Sequence, residues 1–213
     1  MTRLSSANSR AWLVVRNLTC GGIFVACRKI GFAVATWGLV ALCGIVASIM
    51  IAPGFPGILG AALAVVMIAI AAIDAQRFLI PNELVVVGLS LGMLNAFVVG
   101  PQPVTAAAAA ALRAFVLAFA SFVFRAGYRY IRRREGLGMG DVKLVGVAGA
   151  WLSWTGAGLA IDMAALSALA GVLISALRGQ RFDHATRIPF GLFFAPAIWV
   201  AWLLDVLGSR FLA

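Results

Sequence analysis

The chain has 213 residues, of which 63% are hydrophobic and only 11% charged, with a mean hydropathy of +1.05. A soluble domain carries about 25% charged residues, so this composition excludes an ordinary soluble globule. The net charge of +10 does not point to nucleic acid, because the basic residues fall between apolar runs, the pattern that orients membrane proteins.

The N-terminal segment spreads Arg3, Arg10, Arg16, Arg28 and Lys29 over residues 1–30, ahead of the first long apolar run. No small-residue cleavage site follows, so an uncleaved anchor is expected rather than a secretory signal. A membrane span needs roughly 20 apolar residues, and seven are predicted. They cover about residues 31–52, 58–73, 84–99, 104–124, 142–159, 161–177 and 189–207. The turn signals Pro53-Gly54-Phe55-Pro56-Gly57 and Gly100-Pro101-Gln102-Pro103 separate the first spans. The fifth span is interrupted near Ser153-Trp154-Thr155-Gly156.

With the N-terminus in the cytoplasm, the basic tail is inside. Arg77, the cluster Arg125, Arg129, Arg132, Arg133, Arg134, and Arg178, Arg181 and Arg187 fall on the same side. The opposite loops carry no Lys or Arg, and Arg210 is the exception. The positive-inside rule is met, and the fold class is an all-α polytopic membrane protein. The same registry brings Asp74, closing span two, and Asp141, opening span five, to one face.

Ionisable groups at membrane depth are costly and mark functional sites by default. For Asp74 the plain alternative is an ion pair with Arg77, one turn later. For Asp141, in Gly136-Leu137-Gly138-Met139-Gly140-Asp141-Val142-Lys143-Leu144, it is a glycine-rich loop with an N-cap aspartate. Together the two have a sharper meaning. Neighbouring carboxyls cannot both ionise cheaply, so one keeps a proton while the other takes one from water. Such chemistry needs no metal, cofactor or nucleophilic serine. Gly136, Gly138 and Gly140 would let a substrate backbone approach and would permit positive φ.

Three stretches resemble the type IV prepilin peptidases, the bacterial GxGD intramembrane aspartic proteases. They are Asp74 with Ile80-Pro81-Asn82, then Gly138 to Leu144, then Arg187-Ile188-Pro189-Phe190-Gly191. The resemblance implies a six-helix catalytic core within residues 58–213, preceded by an extra helix over residues 31–57. It implies Asp74 and Asp141 as the catalytic pair, with Gly138, Gly140, Lys143, Pro81, Asn82, Pro189, Phe190 and Gly191 shaping the site. It also implies pilin-like or pseudopilin precursors as substrates, cut behind a short basic leader in the bacterial cytoplasmic (inner) membrane. The field attracting such a leader would come from Glu83, Glu135 or Asp183. The family's larger members carry a methyltransferase insert between the first span and the core. Here only Pro53 to Gly57 separates them, so a peptidase-only form is expected.

No metal or cofactor is expected, and no nucleic acid. Cys20, Cys27 and Cys43 form no CxxC, and His184 is the only histidine. Lys143 is expected to snorkel, and Arg113 to pair with Asp162 or snorkel outward. Trp151, Trp154, Trp199 and Trp202 are expected at interfaces or in packing. A small transporter or proton relay, or an inactive assembly component of a pilus or type II secretion system, are the alternatives. The first is disfavoured because both acids sit at one face rather than near the midplane.

Overall fold

A computed structural model describes residues 20–133, 137–178 and 189–211, and side chains from residue 35 to residue 210 within them. Among the described residues every regular element is helical: α1 (Cys20–Ile51), α2 (Phe55–Arg77), α3 (Asn82–Val99), α4 (Pro103–Arg132), α5 (Met139–Trp151), α6 (Trp154–Leu177) and α7 (Phe190–Phe211). Five of them, α2, α3, α4, α6 and α7, are long and apolar enough to cross a membrane. The protein is therefore an all-α polytopic membrane protein.

The seven expected spans correspond to seven helices, and the extent of one of them is corrected. The fifth expected span ends at Trp151, not near residue 159, leaving α5 with 13 residues. At 1.5 Å per residue α5 is about 20 Å long, short of the roughly 30 Å hydrocarbon core. The interruption expected near Ser153-Trp154-Thr155-Gly156 is thus a full break between two helices. Polar side chains mark it. Ser153 caps α6 by accepting the Gly156 N–H at 3.0 Å. The Ser153 N–H and hydroxyl both donate to Oδ2 of Asp205 on α7.

The chain forms two compact units, Met1–Val40 and Ala41–Ala213. Within the first, Cys20 to Val40 is helical. Within the second, α2 is the most buried of the five long helices. Two tryptophans organise its surroundings. Trp151 and Trp202 meet edge to face at 6.2 Å, and Trp151 Nε1 donates to the Gly88 carbonyl at 2.8 Å. The rings fit because the facing residues are glycines: a Cβ on Gly60 would lie 1.9 Å from Trp202, and one on Gly92 2.8 Å from Trp151. Small residues also bring α4 and α5 together. A Cβ on Gly149 would lie 2.8 Å from the Ala114 Cα.

Arg113 departs from both expectations for it. Its Nε donates to the carbonyls of Gly149 and Leu152, at 3.3 and 3.0 Å, satisfying the frayed end of α5. Asp162 is exposed on α6. Of the other tryptophans, Trp199 donates to the Ser48 hydroxyl at 3.0 Å, and Trp154 is exposed.

Candidate active site

Three helix ends converge on the site. The first is the C-terminal end of α2, which carries Asp74 and closes on Phe78 in the left-handed region, φ 53°. That turn, followed by Pro81 at φ −64°, folds the linker Leu79-Ile80 back before α3 begins at Asn82. The second is the first turn of α5, which holds Asp141. The third is the first turn of α7, just after Pro189.

Asp74 is buried, 6% exposed. Its Oδ2 accepts the backbone N–H of Leu192 at 3.0 Å, in the first turn of α7, where unpaired helix N–H groups receive negative charge well. Arg77 points into the exposed surface, so Asp74 is turned to a helix terminus rather than to an ion pair with it. Gly191 allows this approach: a Cβ there would lie 2.8 Å from Oδ2 of Asp74.

Asp141 is not an N-cap. Gly138 holds that position, at φ −67°. Asp141 lies three residues inside, and its Oδ2 accepts the Gly138 N–H at 3.3 Å. The loop is held on its other side by Arg125, whose Nε donates to the Leu137 carbonyl at 2.9 Å. Asp141 opens α5, outside the five spanning helices. Burial pushes its carboxyl up to about 6, the neighbouring charge of Asp74 pushes in the same direction, and the Gly138 N–H opposes both. The residues beside the two aspartates also meet: Gly140, next to Asp141, and Gly191, beside the Asp74 carboxylate, face the same Cδ1 of Ile80.

Positive φ is not the use of these glycines. Gly138 has a negative φ and Gly140 is helical, and among the described residues the positive-φ glycine is Gly54. Nor does Gly140 present an open face, since a Cβ there would lie 3.0–3.1 Å from three atoms of Ile80.

Lys143 does more than snorkel: its Nζ donates to Oδ1 of Asn82 at 2.6 Å, tying α5 to the start of α3. Pro189 immediately precedes α7, and the Phe190 ring packs on Phe194 at 5.6 Å. The stretch is a helix start, and of its residues Gly191 faces the Asp74 carboxylate. Glu83 is exposed on the first turn of α3. Glu135, Gly136, Asp183, His184, Arg187 and Ile188 lie outside the described residues. Among the described residues no three His, Cys, Asp or Glu cluster as metal ligands would. A cavity of about 850 Å³ lies away from the aspartates, lined by Phe122, Arg125, Arg129 and Tyr130 of α4.

Two participants escaped the sequence reading. Leu192 acts through its backbone N–H, which no side-chain pattern reveals, although it directly follows Pro189-Phe190-Gly191. Ile80 stood in a quoted stretch, but its packing against two glycines distant in sequence could not be read there.

A model of the type IV leader peptidase family matches residues 61–179, more than half of the chain. The chain belongs to that family. It is 33% identical over 138 residues to an Escherichia coli protein named leader peptidase HopD, covering 64% of this chain and 86% of that one. A Pseudomonas aeruginosa protein named prepilin leader peptidase/N-methyltransferase is 35% identical over 141 residues, covering 64% of this chain and 46% of its own. An Aeromonas salmonicida protein of the same name is 28% identical over 166 residues, covering 78% and 55%. The chain thus spans about half the length of the relatives with the double name. No solved structure matches the chain. The family match contains Asp74, Ile80 to Asn82 and Gly138 to Lys143 but ends before Pro189. The Leu192–Asp74 hydrogen bond joins the third segment to the first.

Proposed function

We propose that the chain is an aspartic endopeptidase that removes the leader from pilin-like precursors, with Asp74 and Asp141 as its catalytic pair. The observation that supports this reading is a convergence: one atom, Cδ1 of Ile80, lies against both Gly140, next to Asp141, and Gly191, beside the Asp74 carboxylate. A pair that shares one proton offers a base and an acid at once. The ionised carboxylate takes a proton from water as the water oxygen bonds to the peptide carbonyl carbon. The protonated carboxyl donates to the carbonyl oxygen. Collapse of the tetrahedral species breaks the C–N bond, and the leaving amine receives a proton from the pair. The proton inventory belongs to the pair, not to one residue.

The substrate class follows from the names of the relatives, which act on prepilin leaders. Arg77, Arg132 and Arg178 stand at the C-terminal ends of α2, α4 and α6, a distribution that supports a cytoplasmic site with the N-terminus inside. The setting is the bacterial cytoplasmic membrane. Methyl transfer is left out of the reading, because α1 and α2 are joined by a turn so tight that a Cβ on Gly57 would meet the Ala52 carbonyl.

The test is a purified pilin-like precursor incubated with the protein in lipid vesicles, with both products weighed by mass spectrometry. A single cut that separates a basic leader from the hydrophobic stretch supports the reading. An intact precursor, across a panel of pilin-like and pseudopilin substrates, overturns it.

A further inference from the structure

Gly140 and Gly191 lie on different helices, yet one side chain touches the bare face of both. A Cβ on Gly140 would lie 3.0 Å from Cδ1 of Ile80, and a Cβ on Gly191 would lie 3.1 Å from the same atom. The Gly191 position also faces the Asp74 carboxylate, at 2.8 Å. Ile80 is half-buried and sits in the linker between α2 and α3. Its neighbours hold it firmly: Phe78 is in the left-handed region, and Pro81 has its φ fixed by its ring. A β-branched side chain has little freedom at χ1, so its reach is defined by the linker.

We propose that Ile80 is a positioning residue of the dyad, a wedge that fills the space Gly140 and Gly191 leave open and sets the spacing of the first turns of α5 and α7 over Asp74. The proposal rests on the peptidase reading. It gives the glycine before Asp141 a different task from admitting substrate. With any larger residue at position 140, Ile80 and the α5 turn would be forced apart, and Asp141 would move with that turn. Ile80 also covers one side of the site with hydrocarbon. The charged groups that the structure ties to this region are Asp74, beside Gly191, Asp141, next to Gly140 in the chain, and Lys143, which is bound to Asn82.

A size-swap series tests the wedge, using leader cleavage by the full chain in vesicles. Gly140→Ala is expected to lower kcat at least tenfold with KM nearly unchanged. Ile80→Ala is expected to lower kcat and to move the alkaline limb of the pH profile to lower pH, since water then reaches the carboxyls. The double variant Gly140→Ala/Ile80→Ala is expected to recover at least tenfold over Gly140→Ala, because the added methyl enters space the isoleucine has vacated. Ile80→Val gives the same directions with smaller effects where Ile80→Ala does not accumulate. Three results overturn the wedge: Gly140→Ala as active as wild type, Ile80→Ala with an unmoved pH limb, or a double variant no better than Gly140→Ala. Failure of the peptidase reading shows differently, as a wild type that cuts nothing. The wedge is then read from the infrared carboxyl band of Asp141, whose titration falls toward the ordinary carboxylate range in Ile80→Ala if the cover is real and stays put if it is not.

Discussion

The backbone N–H of Leu192 donates to Oδ2 of Asp74 across 118 residues of sequence, at 3.0 Å. This hydrogen bond fixes the buried carboxylate at the start of α7. It depends on the missing side chain of Gly191, since a Cβ there would stand 2.8 Å from the same oxygen. Gly191→Ala is therefore expected to displace the Asp74 carboxylate and lower cleavage at least tenfold. The rest of the fold does not use this contact, so the protein should still accumulate in membranes. Cleavage assays normalised to protein amount check both halves.

The pH dependence follows from Asp141. Its carboxyl is pushed up to about 6 from an ordinary 3.8. A pair that works with one shared proton loses it as pH rises above that value. Cleavage is expected to fall about tenfold per pH unit on the alkaline limb. In Asp74→Glu, any residual activity should retain that limb, because burial remains its first cause.

The same shift has a stability consequence. A carboxyl raised in the folded state favours folding while protonated, below pH 4, and that contribution is lost as pH rises through about 6. Ionised at neutral pH, Asp141 costs on the order of 2–3 kcal/mol. Asp141→Asn keeps an oxygen to accept the Gly138 N–H and removes the charge. It is expected to melt above wild type at pH 7.5, with the difference shrinking to nothing at pH 4. Melting curves followed by tryptophan fluorescence at the two pH values measure this.

Packing around the tryptophans makes a prediction away from the site. Gly60→Ala places a methyl within 1.9 Å of the Trp202 ring, and such overpacking costs about 1–3 kcal/mol. Arg113→Ala removes the donor to the Gly149 and Leu152 carbonyls, a charged hydrogen bond of about 1.5–3 kcal/mol. Both are expected to lower the melting temperature, with Arg113→Lys intermediate because a point charge replaces the planar fork.

The parts legible in sequence were those written in charge and hydropathy. The basic residues after the second, fourth and sixth apolar runs lead, by the positive-inside rule, to the expectation that Asp74 and Asp141 share one face. The break after α5 was legible as the interruption at Ser153-Trp154-Thr155-Gly156, but what fixes it was not, because Ser153 is bound by Asp205, 52 residues away. Arg113 was misread for the same reason: its acceptors are backbone carbonyls, which leave no mark in composition. The glycines flanking Asp141 were read as openings. What fills the face of Gly140, Ile80, comes from a linker 60 residues upstream, and only packing brings the two together.

The central claim is that Asp74 and Asp141 act as one catalytic pair. The most direct measurement is leader cleavage in membranes carrying wild type, Asp74→Asn or Asp141→Asn at equal protein levels. Asparagine keeps the size of the side chain and cannot exchange the proton. Cleavage by wild type with loss of more than a thousandfold in each variant is the expected result. Cleavage that survives either substitution near the wild-type rate would contradict the pair.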